Sequence, residues 1–507
     1  MKSLRNFRFL FPLAVAGIAC TSVLGIEEVH EGPKPGSGAD TGDGGDNGNG
    51  GTGGNRGGTG ASSGAAGSAG RGGGSGASTG GAGGAAGDMG GGGDGNAGSG
   101  TGGVPDEGTV TGRIIDFWGR AVPAVPVEIG AQVVQADADG EFTIEDVAPQ
   151  YDVNLFVSWE GGMYGWRFEG LTRRDPTLQV YAGLPERDGY LTFTPMDATL
   201  TGSRRCNVSF GGPDTMLYYS DVPSNGSASI VDWRGPATTS VVMRGLVFSF
   251  DSMTYLPTGY HAYASGIATL SDTIDADVSL SLPDDPNIQT GNITGTVNAV
   301  VSENRTNSVY VRFANDDGST SAIQVVNEYY SGPDTFTYLV PSLPESAIFV
   351  TASSGNYGDG PYSLAYKDNV APGQNVSLEI PAAPTPVSPA GQATPPANGA
   401  DTSTVFRWTG TSGGCVLYFE DQDAYEGAFV VTANTQTTLP TFPGYALYPG
   451  SRQHWRIETH GDFADVDAMA GPNGYLQSVI DTGHPRGRKR GDGVYTISTW
   501  YQVFIAE

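Results

Sequence analysis

The sequence predicts an all-β protein: tandem antiparallel β-sandwiches, preceded by a signal peptide and a long disordered Gly-rich tether. Three observations predict it. Apolar and polar residues alternate along Gly112 to Val157 and break only at turn residues, the period-2 signature of short strands. Similar stretches recur along the chain, and no stretch outside the signal sustains a helical period. Finally, 34 of the 79 glycines fall between Gly36 and Gly103, leaving a remainder of ordinary hydrophobicity that can build cores.

Lys2, Arg5 and Arg8 precede the apolar run Phe9 to Ala19, too short to span a bilayer as a helix but fitting the h-region of a signal peptide. Gly17-Ile18-Ala19-Cys20 resembles a bacterial lipobox, which implies cleavage after residue 19 and lipidation of Cys20. Gly17 departs from the usual Leu. Thr21 in place of Asp implies, by the same resemblance, delivery to the outer membrane and the cell surface. The stretch also resembles the start of myxobacterial surface lipoproteins. Residues 1–19 are thus the signal and 20–104 the lipidated tether.

Between Gly36 and Gly103 there is no aromatic, Leu, Ile or Val residue. Nothing there offsets the entropy of ordering, and the glycines lack the strict three-residue period of collagen. Its end-to-end distance as a flexible coil is roughly 45 Å.

Asp139-Gly140 predicts a hairpin between two alternating runs, with Phe142, Ile144 and Val147 supplying the apolar face. Gly112, Asp116, Gly119, Val122-Pro123, Val127, Asp137, Gly140, Phe142, Pro149 and Tyr151 together resemble the carboxypeptidase regulatory-like family. Ala136 and Gln150 depart from its pattern. That resemblance implies a transthyretin-like β-sandwich with an accessory role. Val110-Thr-Gly112, Leu200-Thr-Gly202 and Ile293-Thr-Gly295 recur, as do closing strands at 178–184, 278–284 and 376–382. Phe142 matches Phe336, and Phe156 matches Phe349. These repeats place related sandwiches at 105–197, 198–290 and 291–382.

A Pro-rich linker is expected at 383–396. Residues 397–507 then alternate as strands, with Trp408, Leu417 and Trp455 as core anchors. Asn398-Gly399, Thr438-Leu439-Pro440 and Leu447 to Gly450 resemble a fibronectin type III or Ig-like module. Gln453 stands where that family has its corner Tyr.

A net charge of −28 with four lysines excludes nucleic acid as a partner, since no basic surface exists to displace phosphate counterions. The three cysteines include no CxxC, so neither a disulfide scaffold nor a zinc ribbon is expected, and Cys206 and Cys415 read as separate buried thiols. HExxH, SxxK and GK[ST] are absent. Two GxSxG matches, at Gly60–Gly64 and Gly76–Gly80, lie in the tether, where no strand–turn–helix can form.

Four acidic turns carry oxygen ligands suited to Ca²⁺: Asp137/Asp139/Glu141, Asp316-Asp317, Glu420-Asp421/Asp423 and Asp462/Asp465/Asp467. Asp and Gly are equally what hairpin turns use. Trp159, Tyr164, Trp166 and Phe168 cluster around glycines, either as a platform for sugar rings or as a lid over the core. His454, Arg456, Glu458 and His460 share one face of a strand, expected to be solvated. The two histidines lie roughly 20 Å apart along it, too far to share a metal. His484 to Arg490 is the one basic cluster, a grip for anionic glycan or a solvated hairpin loop, and it ends in Arg490-Gly-Asp492.

The reading that follows is a non-catalytic, lipid-anchored surface protein, an adhesion, binding or structural scaffold whose partners are the membrane and extracellular glycan or protein. No cofactor is expected, with Ca²⁺ on the acidic turns, Asp137, Asp139, Asp316 and Asp317 among them, as the alternative. Two alternatives stand beside it: an extracellular glycan-directed enzyme with a site of scattered acids, and a Ca²⁺-rigidified stalk.

Overall fold

The alternation beginning at Gly108 becomes the first of 29 strands among the described residues of the computed structural model. It describes residues 108–504 except 160–161, 183–185, 213–217, 223–226, 302, 316–318, 330, 357–359, 391–398, 412, 422–425, 443–450, 462, 473, 477–491 and 500. The signal, Cys20 and the tether lie outside the described residues. The described chain is nearly all β, with one small helix, α1 (Val466–Ala470), and a helical turn at Tyr475-Leu476.

Seven strands build the first module: β1 (Gly108–Ile115), β2 (Pro126–Ile129), β3 (Gln132–Gln135), β4 (Glu141–Val147), β5 (Tyr151–Trp159), β6 (Gly162–Leu171) and β7 (Thr177–Gln179). One sheet has the order β4-β1-β7, with β7 parallel to β1. The other runs β6-β5-β2-β3. Alternation sets the faces: Phe142, Ile144 and Val147 of β4 point inward and join Leu155, Trp166 and Phe168 in the core.

The second module repeats this order with β8 (Glu186–Met196), β9 (Arg204–Gly211), β10 (Tyr218–Val222), β11 (Ser227–Arg234), β12 (Thr238–Phe250), β13 (Pro257–Ser271) and β14 (Ala276–Ser281). The third does so with β15 (Gln289–Ala299), β16 (Thr306–Ala314), β17 (Thr320–Glu328), β18 (Thr335–Ser342), β19 (Ser346–Gly355), β20 (Tyr362–Val370) and β21 (Asn375–Ile380). In each, the first strand sits between an antiparallel fourth and a parallel seventh strand, while strands three, two, five and six form the facing sheet.

Three sequence expectations change here. β8, expected at the end of the first module, pairs with β11 and β14 and opens the second, so the boundary lies before Glu186. Leu200-Thr-Gly202 consequently falls after that first strand and is not the counterpart of Val110-Thr-Gly112. The turn at Asp139-Gly140 joins no hairpin: β3 pairs with β2 and β4 with β1, so the chain crosses there from one sheet to the other. Gly140 makes the crossing with φ +73°, and a Cβ on it would meet the Ile114 carbonyl at 2.5 Å.

The C-terminal unit contributes β22 (Thr385–Ser388), β23 (Val405–Thr409), β24 (Cys415–Asp421), β25 (Glu426–Thr432), β26 (Gln436–Thr438), β27 (Arg452–His460), β28 (Gly493–Ile497) and β29 (Tyr501–Phe504). β22 lies inside the expected linker yet pairs with β23, so part of that stretch belongs to this unit. Trp408, Leu417 and Trp455 are core residues, as the sequence predicts.

The unit is not an appended bead. β25 runs parallel to β6, and β28 lies antiparallel to β20, so one thirteen-stranded sheet passes through the first module, the C-terminal unit and the third module. Directly opposed residues share a face. From Trp166 the pairing leads to Phe429, Tyr418 and Arg456, then from Glu458 to Ile497 and Tyr362. Phe349 and Tyr310 continue that face, outside the third module's own core. The first and third modules therefore bury their cores on opposite faces of one sheet.

Candidate functional site

A concave site lies where the first module meets the C-terminal unit. The start of β5 and the end of β6 form one wall. Val405 and the β26 segment, with Asn434 before it, form the other, around a groove of about 470 Å³.

Alternation along β6 explains the wall. Trp166 and Phe168 face the core, which turns Arg167 and Glu169 to the opposite side. Arg167 Nη2 donates to Asp152 Oδ2 at 3.0 Å, and its Nε lies 3.1 Å from Glu169 Oε1. Thr437 Oγ1 donates to the same Glu169 oxygen at 2.5 Å, tying the two units together. Gly170 N–H donates to Asp152 Oδ1 at 2.9 Å. Gly170 has φ +84°, a conformation that lets the chain turn at the groove's lip. The Tyr151 hydroxyl donates to the Arg173 carbonyl, and burial, reinforced by Asp467, holds its pKa well above the ordinary phenol value. Two carboxylates thus sit in fixed positions around one guanidinium, with amides and hydroxyls opposite. Such an arrangement offers hydrogen-bond donors and acceptors.

The residues singled out in the sequence go elsewhere. Tyr164 is buried, and Trp166 is fully buried with its ring stacked on Phe429 at 4.1 Å, so neither offers a sugar platform. They reside on a strand and cover the core, and the Trp159 side chain lies outside the described residues. Asp137 Oδ1 accepts the N–H groups of Asp139 and Glu141, both at 2.9 Å, an Asx turn that uses the carboxylate locally. The Asp139 carbonyl accepts from Arg113. Asp316 and Asp317 lie outside the described residues. Asp465 caps α1, and Asp467 accepts from Thr172 and Arg173. Among the described residues no group of three or more His, Cys, Asp or Glu is placed to hold a metal.

The face of His454 to His460 is not solvated at its centre. Arg456 and Glu458 pair at 2.5 Å with 4% and 6% exposure, and the buried His460 ring packs among Tyr495, Tyr475 and Phe463. The first module's core and the segment carrying α1 extend over this side of β27, and the ion pair sets one buried charge against the other. Cys206 and Cys415 are buried and not joined to each other in a disulfide, and burial pushes the Cys415 thiol up to about 12. The basic cluster at 484–490 lies outside the described residues, while Asp492, two residues beyond it, is described. It pairs with Lys367 at 3.2 Å and accepts from the Asp368 N–H.

Sequence reasoning missed the groove, whose walls, Gln150 to Gly170 and Val405 to Thr438, lie far apart in the chain. It also missed the β12–β13 turn. There Asp251 accepts from Met253 and Thr254, Tyr255 adopts φ +57° and stacks on Phe250, and Met253 is 88% exposed. An apolar pair inside a polar turn was its only signal.

No family model matches the chain, and no curated protein matches it. Among solved structures, the Bacillus anthracis TIE protein aligns over 54% of this chain and 50% of its own, at 10% identity and a TM-score of 0.16. The chain thus spans half of that protein. BcpA, the major pilin subunit of Bacillus cereus, aligns over 54% and 99% at 7% identity, TM-score 0.13. The shaft pilin SpaA of Lactobacillus rhamnosus GG aligns over 39% and 97% at 11% identity, TM-score 0.12.

Proposed function

We propose that this chain is a non-catalytic surface lipoprotein, anchored in the outer membrane through Cys20, that carries a rigid β-sandwich body on a Gly-rich leash for adhesion, binding or structural spacing. The body comprises carboxypeptidase regulatory-like modules and a terminal unit of fibronectin type III or Ig-like kind. One observation carries the reading. The thirteen-stranded sheet fuses the first module, the third and the C-terminal unit, which gives one continuous body rather than mobile beads. Main-chain pairing across both junctions suits a part that must hold its shape at the end of a flexible chain. The leash adds a reach of roughly 45 Å.

The test is fractionation of the full chain in a Gram-negative host. Cys20→Ala should move it from the membrane to the soluble fraction, and wild type should label with a fatty-acid analogue where the variant does not. Retention of the variant in membranes would overturn the anchor.

A further inference from the structure

We infer that the groove between the first module and the C-terminal unit binds a neutral saccharide ring. The inference rests on the binding role proposed above and names its ligand class.

Size is the first argument. About 470 Å³ fits a ligand of one or two rings, within the roughly 300–1,000 Å³ of small-molecule sites, which favour junctions between domains. The lining chemistry is the second. Gln150 and Asn434 are exposed amides, each offering N–H donors and a carbonyl acceptor, and Gln436 offers its N–H donors while its carbonyl accepts from Arg407 Nε at 3.0 Å. Asp152 and Glu169 are acceptors whose remaining lone pairs suit ligand O–H donors. A polyhydroxylated ring presents donors and acceptors at every carbon and matches this mixture.

Charge selects among polar ligands. Two carboxylates face the groove and the chain as a whole carries −28, whereas of the guanidiniums beside it Arg167 is engaged by both carboxylates and the exposed Arg407 stands at the rim, donating to Gln436. Phosphates, sulfated sugars and uronates would meet repulsion there. An apolar ligand would strip water from Asp152 without replacing its hydrogen bonds. Preorganisation is the last argument. Glu169 is 8% exposed and held from both units by Arg167 and Thr437, while Asp152 is held by Arg167 and the Gly170 N–H, so the acceptors are fixed before the ligand arrives.

The experiment uses the full chain made soluble by Cys20→Ala, observed by saturation-transfer NMR and calorimetry. Probes are methyl α-glucoside, methyl α-mannoside, methyl β-galactoside and the methyl glycoside of glucuronate. At least one neutral glycoside should bind, with Kd on the order of 1 mM, and the glucuronide should not. Gln150→Ala, at an exposed position, and Asp152→Asn should each weaken binding roughly tenfold or more. A thermal melt equal to the parent's shows that Gln150→Ala keeps the fold. The inference is overturned if no neutral glycoside binds at about fifty times that concentration, if Gln150→Ala binds like the parent, or if the glucuronide binds equally. Membrane release by Cys20→Ala is read separately, so failure of the sugar site and failure of the anchor are distinguishable.

Discussion

Gly112 lies directly opposite Phe142 across the β1–β4 ladder, and a Cβ on Gly112 would come within 2.3 Å of the Phe142 ring. The third module repeats the relationship: Gly295 opposes Phe336, with the ring 2.2 Å from the same virtual atom. The second uses a diagonal version, in which Gly189 makes room for the fully buried Trp233. An aromatic laid over a strand glycine thus fixes the register of the first strand in all three modules. Gly112→Ala should cost about 1–3 kcal/mol through overpacking, read as faster hydrogen exchange in β1 and β4. Exchange matching wild type would show that Phe142 moves aside freely.

What the sequence made legible is what alternation encodes. Phe142, Ile144 and Val147, the anchors Trp408, Leu417 and Trp455, and the match of Phe142 with Phe336 depend on local period, which survives in one dimension. The match of Phe156 with Phe349 also holds, with a sense that sequence could not supply. Both turn from their own module's core, Phe156 toward the C-terminal core and Phe349 toward Tyr495 and Ile497. Strand partners at a distance left no such trace. β6 and β25 pair across more than 250 residues, and backbone ladders carry no side-chain code for their partner. The His454–His460 face misled because paired buried charges look, in sequence, like solvated ones. The groove was invisible for the same reason as the ladders.

Asp467 is a second tie between the units. It accepts hydrogen bonds from the Thr172 N–H and hydroxyl and from the Arg173 N–H, just beyond β6. Asp467→Ala leaves those donors to water and removes bonds to an ionised acceptor, which should cost about 1.5–3 kcal/mol locally. Amides of Thr172, Arg173 and α1 should exchange faster while β15–β21 stay unchanged. Uniform acceleration across the chain would instead mean that the junction melts only with the whole.

Stability should fall between mildly acidic and neutral pH through Glu420. Burial raises its pKa in the folded state, and Arg456 only partly opposes this. The folded protein then holds this proton more tightly than the unfolded chain. The contribution is complete below the unfolded value, about 4.3, and is lost as pH rises through the folded one. Glu420→Gln removes the ionisation. The melting temperature of the variant relative to wild type should therefore climb from pH 4 to pH 7, on the order of a degree or more. A difference independent of pH would place the carboxyl in water.

The sandwich reading of 397–507 suggests a unit that folds alone, and the sheet argues otherwise. β24 and β25 are buried on both faces. Leu417 and Val430 pack in the unit's own core, while Val416, Tyr418, Phe429 and Val431 pack with the first module's core. Cut free, residues 384–507 would expose that second apolar face together with the unpaired edges of β25 and β28, a template for association. Residues 104–507 keep both edges paired with β6 and β20. The longer fragment should therefore elute as a monodisperse species with dispersed amide spectra, while 384–507 should aggregate or give broad, collapsed ones. Thr496→Pro in the longer fragment supplies a milder version. It removes an N–H from a strand that pairs with both Ser363 and Thr459, so protease should then separate the third module from the C-terminal unit. A folded, monomeric 384–507 would reduce the continuous sheet to a docking of finished domains.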